Sequence, residues 1–466
     1  MPGTPQPAPY RPDPAILSVA DWLGDPVLPA RFPQAIPRFR NDRWASAVGL
    51  DGLSDTEWVD RFARFTPLPD NLPQPLALRY HGHQFQVYNP DLGDGRGFLF
   101  AQIRDGADRL LDLGTKGSGT TPWSRTADGR LTLKGAVREI LATELLEALG
   151  VNTSKTFSVI ETGEALIRGD EPSPTRSAVL VRLSHGHIRI GSFQRLSALG
   201  EHDHLAELVD YCLTRFPGGE PPTDAPGRAL PAVRLLHQVI ARLADMAASY
   251  MAAGFVHGVL NSDNMNVTGE SFDYGPWRFA PGWQPGFTAA YFDRNGLYAF
   301  ARQGHAIHWN CLQLAIALSP LVPDGATLQA ALDRFPPLYH AALGRRFAWR
   351  LGFTPDDEAA GEALMVAVER ELIDSRAEPA AWFFAHRAGR DAQGSLAEAL
   401  TRCTPLPGEP DPWWNEAAPE SLLIDEVETL WSAIAERDDW EPLYAKINRI
   451  RRAGLAHGES PEPVNG

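Results

Sequence analysis

The chain has 466 residues, with 43 Lys and Arg against 58 Asp and Glu, for a net charge of −15 with His neutral. That length excludes a small stapled scaffold, and the charge excludes a global cationic field that would hold nucleic acid or an anionic membrane surface. A hydrophobic content of 44% excludes a disordered chain, yet no run approaches the roughly 20 apolar residues needed to cross a bilayer.

Residues 1–75 mix short apolar groups with proline (PVLPARFPQAIPRF, FTPLPDNLPQPL). Proline forbids long helices, so the segment reads as an extended N-terminal arm. Residues 76–200 carry short runs rich in bulky and β-branched residues: GFLFAQI, DRLLDLGTK, TFSVIETG, EALIRG and SAVLVRL. They predict strands, interrupted by one helix, LKGAVREILATELLEALG, whose apolar face is Val137, Ile140, Leu141, Leu145 and Leu149 and which ends at Gly150. From 201 to 466 the periodicity is helical, as in EHDHLAELVDYCLTRF and AVRLLHQVIARLADMAASYMAAGF, around one polar island, FVHGVLNSDNMNVTGESFDYG. The expectation is an α+β, bilobal chain: a β-rich lobe with one key helix, and a larger helical lobe.

Three separated cysteines, Cys212, Cys311 and Cys403, offer neither a disulfide framework nor a CxxC knuckle. The start MPGTPQPAPYRPDP lacks the basic and apolar run of an export leader. A cytoplasmic location follows as the expectation.

Four segments carry candidate chemistry. In YHGHQFQVYNPDLGDGRG, Gly93, Gly95 and Arg96 precede a strand, where glycines let backbone N–H groups approach a phosphate; the same composition also serves an ordinary turn. Lys116, one of only four lysines, ends a strand before a turn with Gly117 and Gly119, and Asp128 and Gly129 follow. The order is not that of a Walker A loop, where glycines precede the lysine. A strand lysine pairing with a helix glutamate, here Glu139, is how kinase-like folds hold a phosphate-binding ammonium. Arg182 and Arg189 stand either side of a turn in SAVLVRLSHGHIRIGSF, and if two strands fold back there both could reach one phosphate chain; two surface arginines would look the same.

The fourth segment runs His257-Gly258-Val259-Leu260-Asn261-Ser262-Asp263-Asn264 and then Phe272-Asp273-Tyr274-Gly275. Kinases carry HRDxxxxN and DFG, in which the Asn and the second Asp hold metal ions. Asn264 and Asp273 take those places, while the kinase base position is Val259, which accepts no proton. Asp263 is the remaining carboxylate that could act as base. Paired histidines (His81/His83, His185/His187, His305/His308) lack the partners of a zinc site and read as packed or hydrogen-bonded side chains.

Taken together, YHGHQF, LGDGRG, KGSGTTPWSR, DGR, VREIL, HGVLNSDNMN and DYGP resemble the selenoprotein O family, also called the YdiU family, from about Leu76 to Leu314. The resemblance implies a kinase-like fold and an adenylyltransferase that moves AMP, with ATP flipped relative to kinases, to Ser, Thr or Tyr hydroxyls of target proteins. It implies nucleotide contacts at Gly93, Gly95, Arg96, Lys116, Asp128, Gly129, Arg182, Arg189 and Asp273, magnesium or manganese at Asn264 and Asp273, and Asp263 as proton acceptor. ATP, or UTP in its place, and target proteins are the implied partners, with neither nucleic acid nor membrane among them. The sequence departs from the family at Thr120, where Arg is usual, and at Gln194, where an acid is usual. Beyond about residue 320 the resemblance fades, and the tail HGESPEPVNG has no terminal cysteine motif, so redox control through that tail is not expected. A γ-phosphate kinase and a non-catalytic nucleotide-binding scaffold are the alternatives.

Overall fold

A computed structural model describes residues 5–169 and 171–461; the last five residues of the tail lie outside them. Its main element is an eight-stranded antiparallel sheet. The central path runs Gly24–Pro26, Leu76–Leu78, Leu99–Arg104, Leu110–Lys116, Thr175–Ser184, Lys155–Leu166, Ile36–Arg40, and the short strand Leu131–Thr132 pairs with Thr175–Ser184. TFSVIETG and EALIRG, read as two strands, form the single strand Lys155–Leu166, which continues through Gly163 at φ +75°.

Every residue from Leu110 to Lys116 is buried, because both faces of the sheet are covered; hence the continuous apolar run rather than alternation. On one face Leu99, Leu110, Val159 and Leu180 join a core with Ile140 and Leu141 of the helix Leu133–Ala148. On the other, Phe100, Leu113, Phe157 and Val181 pack against Trp44, Trp58 and Phe62. Those three come from the segment read as an arm. That segment also supplies strands at both ends of the sheet, with Gly24 paired to Leu78 and Ile36 to Glu161. Its short helix Asp55–Phe62 opens on a Ser54/Glu57 capping box. A boundary at residue 75 therefore cuts through one folded unit.

Thr132 caps the helix Leu133–Ala148 by accepting from Gly135 N, and Gly150 turns the chain out at φ +75°. One stretch departs from the sequence reading. After Ser184 and the turn at Gly186 (φ +87°) the chain forms a helix, Ile190–Leu199, not a returning strand. Its buried residues Ile190, Phe193, Gln194 and Leu196 have helical spacing. The larger lobe is built round the helix Pro231–Ala253, buried along nearly its whole length and flanked by Gln303–Leu318 and Phe335–Leu351. A buried bidentate pair, Arg346 to Asp245 at 3.1 and 2.6 Å, ties two of these helices. Among the described residues no helix is long and apolar enough to cross a membrane.

Candidate active site

The sheet and the Leu133–Ala148 helix converge on one charged cluster. Lys116, the last residue of its strand, points its Nζ to Glu139 Oε2 at 2.8 Å and to Asp273 Oδ1 at 2.9 Å. Arg182 Nη1 adds contacts of 3.6 Å to Asp273 Oδ1 and 3.9 Å to Glu139 Oε1. Two cations and two carboxylates thus balance in a buried setting, where an uncompensated charge would be costly. Burial alone would raise the Asp273 carboxyl, but Lys116 and then Arg182 override it and hold the group well below the usual carboxylate range. Asp273 also adopts φ +62°, a left-handed conformation that Asp tolerates better than most residues. The kinase-like strand lysine, helix glutamate and post-loop aspartate are therefore assembled here.

The glycine-rich segments flank this cluster in a different way from the one expected. A Cβ on Gly93 would lie 2.3 Å from Trp123 Cγ, and one on Gly95 would lie 2.9 Å from the Trp123 carbonyl oxygen. These glycines admit the Trp123 loop, which is further fixed by Thr121 Oγ1 donating to the Asp94 carbonyl oxygen at 2.6 Å. Gly117 (φ +82°) donates from N to the Arg96 carbonyl oxygen, and Gly119 N to the Gly129 carbonyl oxygen, so the two turns are laced together. The Arg96 side chain is exposed, and its charge contributes to holding Asp273 ionised. Asp128 stands apart: Arg168 grips its carboxylate with bonds of 2.8 and 3.0 Å on the exposed side.

The polar island supplies the opposite wall. Arg189, at the entrance to the Ile190–Leu199 helix, donates from Nη1 to the Asp263 carbonyl oxygen at 3.0 Å and from Nη2 to Asp94 Oδ1 at 2.9 Å. Its guanidinium also lies over the rings of Tyr80 and Phe272. Asn264 Nδ2 donates to the Val259 carbonyl oxygen at 2.9 Å, which leaves its Oδ1 as an acceptor. Burial pushes the Asp263 carboxyl up to about 6 against the pull of Arg189. Among the described residues Asp263 Oδ1, Arg182 Nη1 and Arg189 Nε are buried without a hydrogen-bond partner, a concentration of unsatisfied groups that points to a polar ligand.

The part played by Asp94 escaped the sequence reading, as did the tie made by Gln194, which stands there only as a departure from the family. Asp94, between the two glycines, is the carboxylate that orients Arg189. Gln194 accepts from Ser262 Oγ at 2.7 Å, its Nε2 meets His83 Nδ1 at 2.8 Å, and His83 N donates back to Ser262 Oγ at 2.7 Å. That closed triangle joins the Ile190–Leu199 helix, the hairpin Gly82–Asn89 and the Asp263 loop. The available signal was a polar residue, Gln194, inside the apolar stripe of a helix.

The family model described as protein adenylyltransferase SelO matches residues 10–398, which carries the likeness past residue 320, where sequence motifs faded. A protein nucleotidyltransferase YdiU of Synechococcus elongatus is 40% identical over 485 aligned positions, covering 95% of this chain and 95% of that protein. One of Gloeobacter violaceus with the same name is 41% identical over 471 positions, covering 94% and 95%. With a kinase-like Lys116–Glu139–Asp273 cluster and matches of this extent, the chain belongs to the SelO/YdiU family of protein adenylyltransferases.

Proposed function

We propose that the protein moves AMP from ATP to a Ser, Thr or Tyr hydroxyl of target proteins, with the triphosphate reversed relative to a kinase so that its α-phosphorus faces the acceptor. One observation carries the reading. The kinase base position, five residues before Asn264, holds Val259, whereas Asp263 beside Asn264 keeps a carboxylate oxygen that has no hydrogen-bond partner among the described residues.

In this scheme Asp263 takes the hydroxyl proton as the acceptor oxygen bonds to the α-phosphorus, and the bond from that phosphorus to pyrophosphate breaks. A carboxyl raised to about 6 suits a base that works near neutral pH. Lys116, Arg182 and Arg189 neutralise the charge growing on the departing pyrophosphate. The hard oxygen donors of Asn264 and Asp273 fit magnesium or manganese, and such an ion would supply further charge neutralisation on the phosphates. These groups address phosphate rather than base, so UTP is a second admissible donor. Three buried, free cysteines support a reducing, cytoplasmic setting.

Incubation with ATP labelled separately at the α and γ positions, followed by intact mass, is the test. Protein-bound α-label with an AMP-sized mass increase is expected. Incorporation of γ-label alone would establish a kinase instead, and ATP binding with neither label would establish a scaffold.

A further inference from the structure

Arg182 does not reach the charged cluster unsupported. Its Nε donates to His187 Nε2 at 3.2 Å, and His187 Nδ1 lies 3.2 Å from Asp112 Oδ2. The other Asp112 oxygen accepts from Gln102 Nε2 at 2.7 Å. Ser184 Oγ stands 3.3–3.4 Å from the ring nitrogens. Arg182, His187 and Asp112 are all buried.

Arginine has no acceptor, so the nitrogen facing it must carry a lone pair. The His187 proton therefore sits on Nδ1 and is donated to Asp112. The contact at Asp112 has ion-pair length, but a doubly protonated ring would set two N–H groups against each other at Arg182; burial likewise lowers the pKa of this imidazole and keeps it neutral. The backbone makes room for the ring. Gly114 is the register partner of Arg182, and a Cβ there would lie 2.3 Å from His187 Nε2. Glycine inside a buried strand is otherwise unfavourable, so its presence marks the place of the ring.

We propose that Asp112 and His187 are positioning residues for nucleotide transfer, forming a relay of hydrogen bonds that fixes the Arg182 guanidinium so that its Nη1 faces the triphosphate. With Nε tied, the plane of the guanidinium is set, and Nη1, which has no hydrogen-bond partner among the described residues, points toward the Lys116 and Asp273 side of the cluster. The inference rests on the reading of Arg182 as a phosphate contact.

The test measures ATP affinity by calorimetry, with kcat and KM for AMP transfer, on the full chain. His187→Phe keeps a ring but removes both nitrogens, and should weaken ATP binding about tenfold, the scale of one lost charge-assisted hydrogen bond. His187→Gln, whose Oε1 can take the place of Nε2, should stay within about threefold of wild type. In an Arg182→Lys background, which lacks Nε, His187→Phe should add less than about twofold. Asp112→Asn is the second variant should the Phe form not fold: an amide donating to Nδ1 would leave the proton on Nε2, facing Arg182, and weaken binding in the same direction. Wild-type affinity in both His187→Phe and Asp112→Asn, or a full tenfold loss added on top of Arg182→Lys, would overturn the relay. A wild-type protein that bound no ATP would instead overturn the reading of the site itself.

Discussion

Lys116 and Lys134 share a lobe and differ in what their ammonium groups meet. Lys116 is buried between Glu139 and Asp273, whereas Lys134, in the first turn of the helix Leu133–Ala148, donates to Glu428 at 2.7 Å on a partly exposed surface. Lys116→Met should lower AMP incorporation at least tenfold, since a charge-assisted contact is worth roughly 1.5–3 kcal/mol. Lys134→Met should leave it within about twofold, because exposed pairs contribute under about 1 kcal/mol. Equal losses at the two positions, measured at matched stability, would place the nucleotide lysine elsewhere. Glu270 gives a pH-dependent counterpart. Burial pushes its carboxyl up to about 7, against the attraction of Lys155, while its Oε2 accepts from His185 N at 2.7 Å. Below about 4.5 the acid is protonated in the folded and the unfolded chain alike. As pH rises only the unfolded chain ionises at first, so stability falls by about 1.4 kcal/mol per unit until the folded group titrates, then levels. Glu270→Gln should therefore raise the melting temperature clearly at pH 8 and much less at pH 5. An equal gain at both values would contradict the raised pKa.

Three elements meet at Gln194, whose bond to Ser262 lies one residue along the chain from Asp263. The helix Ile190–Leu199, the hairpin Gly82–Asn89 and the Asp263 loop touch through the Gln194–Ser262–His83 triangle. Gln194→Ala should lower AMP transfer about tenfold, because in the proposed scheme the triangle steadies the loop that carries Asp263. Unchanged kcat at saturating ATP would show that the loop needs no such tie. The same elements show what the sequence made legible. Lys116 and Glu139 were readable as a pair because a strand end and a helix face fix both directions, and the HGVLNSDNMN and DYG spacing brought Asn264 and Asp273 into view. The Ile190–Leu199 helix was hidden by Ile188 and Ile190, whose β-branched side chains favour a strand locally. Strands in the first 75 residues were hidden by Pro26 and Pro37, which a sheet tolerates because both strands lie at its edges. Asp94 acts through Arg189, far along the chain, and such a pairing leaves no periodic trace.

Taken as a whole, the molecule closes on itself around the Glu139 helix. The last described helix, Glu441–His457, lies beyond the residues matched by the family model and packs back onto Leu133–Ala148. Gly454 permits the approach, since a Cβ there would stand 3.1 Å from Ala148. Arg451 grips Glu144 with bonds of 2.8 and 2.6 Å, and Tyr444 donates to the Arg38 carbonyl oxygen at 2.7 Å on the edge strand. The C-terminal helix thus holds the back of the helix whose other side presents Glu139 to Lys116. Arg451→Ala would leave Glu144 buried with Arg43 only at 3.9 Å. Removing one partner of a fully buried pair costs about 3–5 kcal/mol, and Arg451 reaches water in part, so a loss of about 2–3 kcal/mol is expected in denaturant unfolding. Because the strain falls on the Glu139 helix, ATP affinity should drop as well, although Arg451 touches no residue of the site. Glu144→Gln combined with Arg451→Ala should recover much of the stability, since no charge is then left buried and unpaired. A double variant no more stable than Arg451→Ala alone would show that the helix is held by its apolar contacts and not by this pair.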